Sequence, residues 1–441
     1  MHQAPTPSPV SFATALRYWL RLGFVSFGGP AGQIAMMHAE LVERRRWISE
    51  KRFIHALNYC MVLPGPEATQ LAIYIGWLMH KTRGGIAAGL LFILPSFAIL
   101  IGLAWIYLVF GKLPLVSAIL YGIKPAVVAI VLAACRRIAA RTLTNIWLYL
   151  LAAAALVALA LFDVPFPAVM LGAALAGWAG GRIAPETFRL GGARHLAQAS
   201  HGPALIDDDT PAPVHARFTW SKLSASVALG ITVGGALWLA LAACLGLASP
   251  MTQMGTFFSK AALLTFGGAY AVLPYVVQGA VEHAHWLSPP QMMDGLALGE
   301  TTPGPLIMIV TYVGFLGGWQ TAPGDPLLPA IAGAAIATFF TFLPSFVFVL
   351  AGGPLVEATR GEVRLTAPLT AISAAVVGVI ASLALFFARH VFRLDAGLRH
   401  WDYAAMLICA AAVLAMLRFR VDTIKTLLAC AIAGLVVSYL G

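Results

Sequence analysis

Charge is what this chain most lacks. Lys, Arg, Asp and Glu together make up 10% of its 441 residues, where a soluble domain carries about 25%. So few charges cannot cover a water-facing surface, and a string of soluble domains is excluded although the length alone would allow it. Cysteine is scarce as well. Cys60, Cys135, Cys244, Cys409 and Cys430 lie in or beside apolar segments without paired metal-ligand spacing, and they read as small buried hydrophobes. Neither a His-Glu-x-x-His run nor a Gly-x-Ser-x-Gly elbow occurs, so the signatures of a zinc protease and of a serine hydrolase are missing. His38, His55 and His80 stand alone, and nothing asks for a cofactor or a metal. The opening stretch, MHQAPTPSPV, has no basic region or cleavage site of a signal peptide, so the first apolar segment is expected to be retained.

What the chain has in abundance is apolar length. Hydrophobic residues reach 60% and mean hydropathy is +0.85. Runs of about 20 residues, enough to span roughly 30 Å of hydrocarbon, recur from end to end. They fall near 12–36, 53–80, 86–110, 116–136, 144–162, 164–181, 222–248, 254–279, 291–319, 327–350, 366–388, 401–417 and 421–440. The fold class expected is an all-α polytopic membrane protein with about 10–13 segments in the bilayer. The formal net charge of +10 would suggest nucleic acid in a soluble protein. Here the basic residues gather between apolar segments: Arg44, Arg45, Arg46, Lys51 and Arg52; Lys81 and Arg83; Arg136, Arg137 and Arg141. Cytoplasmic loops look like this under the positive-inside rule, and no basic domain is left to bind nucleic acid.

The chain repeats itself. Phe27-Gly28-Gly29 returns as Phe266-Gly267-Gly268, 239 residues later. Glu43, Trp47 and Ser49 match Glu282, Trp286 and Ser288 at the same spacing, and Pro64-Gly65-Pro66 matches Pro303-Gly304-Pro305. After about ten extra residues around 318–326, Leu94-Pro95-Ser96-Phe97 matches Leu343-Pro344-Ser345-Phe346 at 249. Register kept over such lengths means two copies of one unit. The division expected is a first repeat over 1–181, a polar linker with one extra apolar segment over 182–253, and a second repeat over 254–441. Duplicated halves are a common transporter architecture, with the substrate near the midplane at the repeat interface.

The repeated motifs are helix breakers. Two prolines around a glycine interrupt segment 53–80 at its middle, leaving pieces of about 17 and 21 Å, too short to cross alone. Basic clusters at 44–52 and 81–83 flank the segment on both sides. If both are cytoplasmic, the chain enters and leaves by one face, a re-entrant hairpin with its tip at 64–66. Irregular backbone at that depth needs protein or a water-filled cavity to satisfy it. Pro66 would open a new helix, aiming the free amides of Glu67, Ala68 and Thr69 into the membrane interior, where they suit an oxyanion and not a bare cation. The matching amides belong to Leu306, Ile307 and Met308, and Thr69, Gln70, Thr301 and Thr302 offer side-chain donors. The pairs Gly28-Gly29 and Gly267-Gly268 fit either unwound helices or close helix packing. Ser96 and Ser345 read as kink residues.

Glu67, Lys124 and Glu300 are ionisable residues inside apolar stretches, and such residues are functional hypotheses by default. Lys124 fits either a counter-ion for a dianion or a snorkelling surface lysine. Glu67 and Glu300 flank the two breaks, and protonation of either is the expected companion of anion binding. Whether the halves are parallel or opposed stays open: five crossings each plus one by 222–248 would leave them parallel, whereas the arginines and lysines of the second half lean towards opposed halves.

Phe-Gly-Gly-Pro at 27–30, the arginine-rich loop ending at Trp47, Pro-Gly-Pro-Glu-Ala-Thr-Gln at 64–70 and Leu-Pro-Ser at 94–96 together resemble the chromate ion transporter (CHR) family. The likeness covers both halves, as in its long two-domain class. It implies efflux of chromate across the bacterial inner membrane, with sulfate as analogue and possible competitor, and halves of opposed orientation. The second half departs from the pattern, with Ala269 in place of Pro30 and Leu306 in place of Glu67. The rivals are a carrier of sulfate or another oxyanion and, in another class, an intramembrane enzyme. A homodimer is compatible with the sequence, which sets no oligomeric state.

Overall fold

The computed structural model describes residues 8–27, 29–184, 188, 202–208, 210–211, 213–266, 268–320, 324–358, 366–392 and 401–440. A bilayer offers the backbone no hydrogen bonds, so apolar segments must close their own as helices. The first half is α1 (Phe12–Val25), α2 (Gly29–His38), α3 (Glu50–Val62), α4 (Glu67–Phe110), α5 (Pro114–Thr142), α6 (Ile146–Phe162) and α7 (Phe166–Ile183). Then come α8 (Trp220–Leu245), α9 (Pro250–Leu264), α10 (Ala269–Val277), α11 (Pro289–Thr301), α12 (Ile309–Gln320), α13 (Leu327–Ala358), α14 (Thr366–Phe392), α15 (Tyr403–Arg418) and α16 (Thr423–Leu440). Caps mark the starts: Ser11 and Ser49 accept from the amides of Thr14 and Arg52, and Ser288 with Gln291 forms a full capping box.

The break at 64–66 reverses the chain. Glu357 accepts from Arg52 Nη1 at the start of α3 and from the Tyr74 hydroxyl beyond the break, each at 2.6 Å. A merely kinked helix would hold those two residues about 33 Å apart. Helix α3 and residues 67–79 are therefore the two arms of a re-entrant hairpin. The chain turns again at His80 and Lys81, where φ is −133° and 58°. Residues 82–110 then run back along 67–79, with Gly76 against Gly84 and Gly89 against Ile73. In the second half α11 and α12 repeat the hairpin, and α13 lies back along α12, with Gly314 against Gly333.

Segment 12–36, expected as one crossing, is a second kind of hairpin. The Phe12 ring meets His80 at 5.4 Å, and Gly23 lies against Leu91 and Pro95, so α1 runs inward. Helix α2 returns: Gln33 is still beside Ser26, while His38 bonds Glu50 at 2.6 Å. The turn is at Gly29, whose φ of +70° favours glycine. Helices α9 and α10 pair in the same way, with Phe257 stacked on Tyr275 at 5.0 Å.

The long helices fix the relation of the halves. Residues 82–110 start at the mouth of the first proline hairpin, pass Gly304 at Ser96 and reach Asp294 at Tyr107, whose hydroxyl donates to it at 3.0 Å. Helix α13 runs from the mouth of the second, past Gly65 at Ser345, to Glu357 beside Arg52. The proline hairpins thus enter from opposite ends and meet midway. Five helices among the described residues, Glu67–Phe110, α5, α8, α13 and α14, are long and apolar enough to cross a bilayer. With the shorter α6, α7, α15 and α16 beside them, each half makes four passes (82–110 with α5, α6 and α7; α13 to α16), an even number, and α8 supplies the one that inverts the second half. The expectation of five crossings fails because α1 and α2 do not cross.

The linker is not loose over its described part. Leu205 and Ile206 donate to the carbonyls of Arg46 and Trp47 at 2.9 and 3.1 Å, and Ser49 N donates to Ile206 O at 3.0 Å. Arg52 donates to the carbonyls of Asp207 and Thr210, and His215 bonds the Trp77 carbonyl at 2.9 Å. This strap covers the mouth of the first proline hairpin.

Candidate functional site

The hairpin tips exchange contacts between the repeats. Gly65 N donates to Thr265 O at 2.7 Å, and Gly304 N donates to Ser26 O at 2.8 Å. Ser26 and Thr265 are repeat mates, as are Gly65 and Gly304, so one bond is made twice across a pseudo-twofold axis. Both glycines need to be glycine. Their φ values are +126° and +104°, and a Cβ on them would strike Ser345 and Ser96 respectively. Proline hairpin, glycine hairpin and Leu-Pro-Ser helix thus meet at each tip, each motif answering its counterpart's half. Gly29 and Gly268 also hold positive φ, +70° and +98°, and a Cβ on either would meet open space. These two positions serve unwinding and not close packing; Gly28 and Gly267 lie outside the described residues.

Polar groups line the tips. Gln33 Nε2 donates to Gly304 O at 2.6 Å, and Gln70 Nε2 donates to Pro64 O at 2.8 Å. These bonds leave both amide oxygens facing away from a donor. Ser26 Oγ, Gln33 Oε1, Thr69 Oγ1, Gln70 Oε1 and Ser96 Oγ have no hydrogen-bond partner, and all five residues are fully buried. A buried polar atom left unpaired costs about 1–3 kcal/mol, so five around one junction mark a place built for a polar guest. The backbone points the same way. Pro66 caps α4 without a side-chain bond, and the first-turn amides of Glu67, Ala68 and Thr69 have no acceptor within the helix.

The two halves do not contribute equally. Thr265, Thr301 and Thr302 spend their hydroxyl protons on carbonyls of their own helices, Ala261, Leu298 and Gly299, so Thr301 and Thr302 are not the free donors expected. Met308 N is bonded to Pro305 O at 2.9 Å in a 3-10 turn over Leu306–Met308, which withdraws one of the three amides expected there. Among the described residues, the buried unpaired hydroxyls at the tips, Ser26, Thr69 and Ser96, all belong to the first half.

The ionisable residues are dispersed. Glu67 is half-buried on the first turn of α4. Glu300, in the last turn of α11, accepts a short hydrogen bond from the Tyr270 hydroxyl. Lys124 does not sit at a tip: its Nζ is 3.9 Å from Asp294 Oδ2, about 13 Å along α11 from the Pro-Gly-Pro break. Asp294, Ser26 and Gln33 do not stand out in the sequence, and Ser96 looks there like a kink residue. One signal was available for Ser26: a hydroxyl residue precedes Phe-Gly-Gly in both copies.

A model of the family described as chromate transporter matches residues 13–178 and again 252–435. This chain belongs to the chromate transporter family. It is 32% identical over 437 residues to a chromate transport protein of Pseudomonas aeruginosa, covering 97% of this chain and 93% of that one. It is 27% identical over 397 residues to a chromate transport protein of Cupriavidus metallidurans, 88% and 85% of the two chains. A probable chromate transport protein of Synechococcus elongatus is 27% identical over 378 residues, 85% and 84% of the two. No solved structure matches the chain. The double match follows the inverted repeats, and the chain is a multi-pass membrane transporter.

Proposed function

We propose that this protein exports chromate from the bacterial cytoplasm across the inner membrane, holding the oxyanion between the hairpin tips. The observation that carries this reading is the set of buried, unpaired hydroxyls of Ser26, Thr69 and Ser96 beside the free backbone amides of Glu67, Ala68 and Thr69, while Gln33 and Gln70 donate to Gly304 O and Pro64 O and hold the tips in shape. Hydroxyls and amides donate to the tetrahedral oxygens, and a hydrogen bond to a charged group contributes about 1.5–3 kcal/mol. Pro64, Gly65, Pro66, Pro303, Gly304 and Pro305 shape the tips, and Gly29 and Gly268 leave room beside them. Glu67 and Glu300 are the acids placed to be protonated as the anion binds.

Charge supports the direction. Among the described residues, Arg44, Arg45, Arg46, Lys51, Arg52, Lys81, Arg83, Arg136, Arg137, Arg141, Arg182, Arg217, Lys222, Arg418, Arg420 and Lys425 gather at the end that bears the linker strap, against Lys112 and Arg389 at the other. The positive-inside rule makes the strapped end cytoplasmic. A dianion leaving an inside-negative cell gains about 4.6 kcal/mol per 100 mV, twice the figure for one charge. Inverted repeats meeting at a midplane site are the usual means of alternating access.

Chromate uptake into everted vesicles tests the reading. Uptake that needs both the protein and an imposed potential, and that excess sulfate reduces, is the expected result. Energised vesicles with no protein-dependent chromate uptake, but with uptake of another oxyanion, would move the substrate to that ion.

A further inference from the structure

Asp294 is the buried acid that the tip site does not use. It is 2% exposed, on α11 between the tip and the non-cytoplasmic end. Oδ2 accepts from the Tyr107 hydroxyl at 3.0 Å and lies 3.9 Å from Lys124 Nζ; Oδ1 has no partner. The Tyr312 hydroxyl is buried and unpaired too, with its ring 5.8 Å from that of Tyr107. Tyr107 and Lys124 belong to the first repeat, Asp294 and Tyr312 to the second, so the cluster straddles the boundary that alternating access must shear.

The opposite hairpin shows what a finished structural pair looks like here. Arg52 and Glu357 meet at 2.6 Å with side chains 6% and 2% exposed, and the remaining donors and acceptors are taken by Tyr74, Asp207 and Thr210. Asp294 and Lys124 are held loosely, and the lysine is 29% exposed. A buried carboxylate with one free oxygen and a reachable, half-released cation is poised to exchange that cation for a proton. The ionisable groups acting on it are Lys124 from α5 and Tyr107 from α4, with Tyr312 from α12 alongside; Glu300 shares its helix. Among the described residues, α14 and α16, which also touch α11, bring no further ionisable group to bear on it.

We propose that Asp294 is a further proton-binding residue of transport, separate from the acids at the tips, releasing Lys124 when it takes a proton from the non-cytoplasmic side. The step is a proton transfer from water to carboxylate, with no other bond changed. Lys124, freed, offers its ammonium to the oxyanion once that has left the tips towards the non-cytoplasmic end, so proton entry and anion exit share one cation. The assignment deepens the chromate reading and rests on it.

Proteoliposomes of the whole protein, with a pH dye inside and the potential clamped at zero, test it. Wild type is expected to move chromate under a pH gradient and to move protons when chromate is added. Asp294→Asn should lose both responses and keep chromate movement driven by an imposed potential. Asp294→Glu should keep the responses with a displaced pH profile, which guards against a variant that merely fails to fold. Asp294→Asn responding to the pH gradient as wild type does would overturn the assignment. So would potential-driven chromate movement by wild type without proton movement, a result that leaves the chromate reading intact. Wild type that moves no chromate under either force sinks both together.

Discussion

Two glycines set the geometry of the tips. Gly65 and Gly304 hold backbone angles that side chains rarely adopt, and each is pressed against a serine of the other repeat. An added methyl must displace Ser345 or Ser96, and with it the crossed bonds to Thr265 and Ser26. Strain of this kind costs about 1–3 kcal/mol. Gly65→Ala and Gly304→Ala are each expected to abolish chromate uptake while lowering thermal stability only modestly. Gly102→Ala is the control, because its Cβ would meet open space and alanine suits a helix interior; it should leave both readouts unchanged. Uptake and melting temperature, measured on the same preparations, check all three.

Between elements, the strongest tie is the ion pair at the strapped mouth. Arg52 belongs to the first repeat and Glu357 to the second, and the linker adds two carbonyl acceptors to the arginine. Breaking a buried pair from one side leaves an uncompensated charge and costs about 3–5 kcal/mol. Arg52→Met and Glu357→Leu should each destabilise the protein by about that much. The double variant should recover part of the loss and not all of it, since the linker carbonyls and the Tyr74 hydroxyl stay without their partners. A thermal double-mutant cycle measures the recovery. Singles that cost nothing would mean the mouth is open to water and the pair exchanges with solvent.

At the scale of the molecule, two hairpins and four crossings per half, with α8 between the halves, make an inverted duplication. Much of this was legible in the sequence. The repeat, the Pro-Gly-Pro breaks and the hairpin at 53–80 follow from helix-breaking residues flanked by charge, because proline and the bilayer act locally. The hairpin at 12–38 was not legible: Phe-Gly-Gly announces a break, but only the packing of Phe12 on His80 and of His38 against Glu50 shows the chain coming back. That one misreading left the relation of the halves open. The site was half legible. Glycines and prolines declared the tips, while Ser26, Gln33 and Asp294 matter through partners about 190 to 280 residues away, at separations where spacing carries no signal.

Equilibrium binding of radiolabelled chromate to the purified protein probes the junction of the two repeats most directly. Wild type should bind saturably, and Thr69→Val and Ser96→Ala should each weaken binding by about tenfold or more, the equivalent of one hydrogen bond to a charged group. Ser345→Ala, whose hydroxyl already accepts from Gln70, should weaken it less. Variants at Thr69 and Ser96 that bind chromate as tightly as wild type would contradict a site at the hairpin tips.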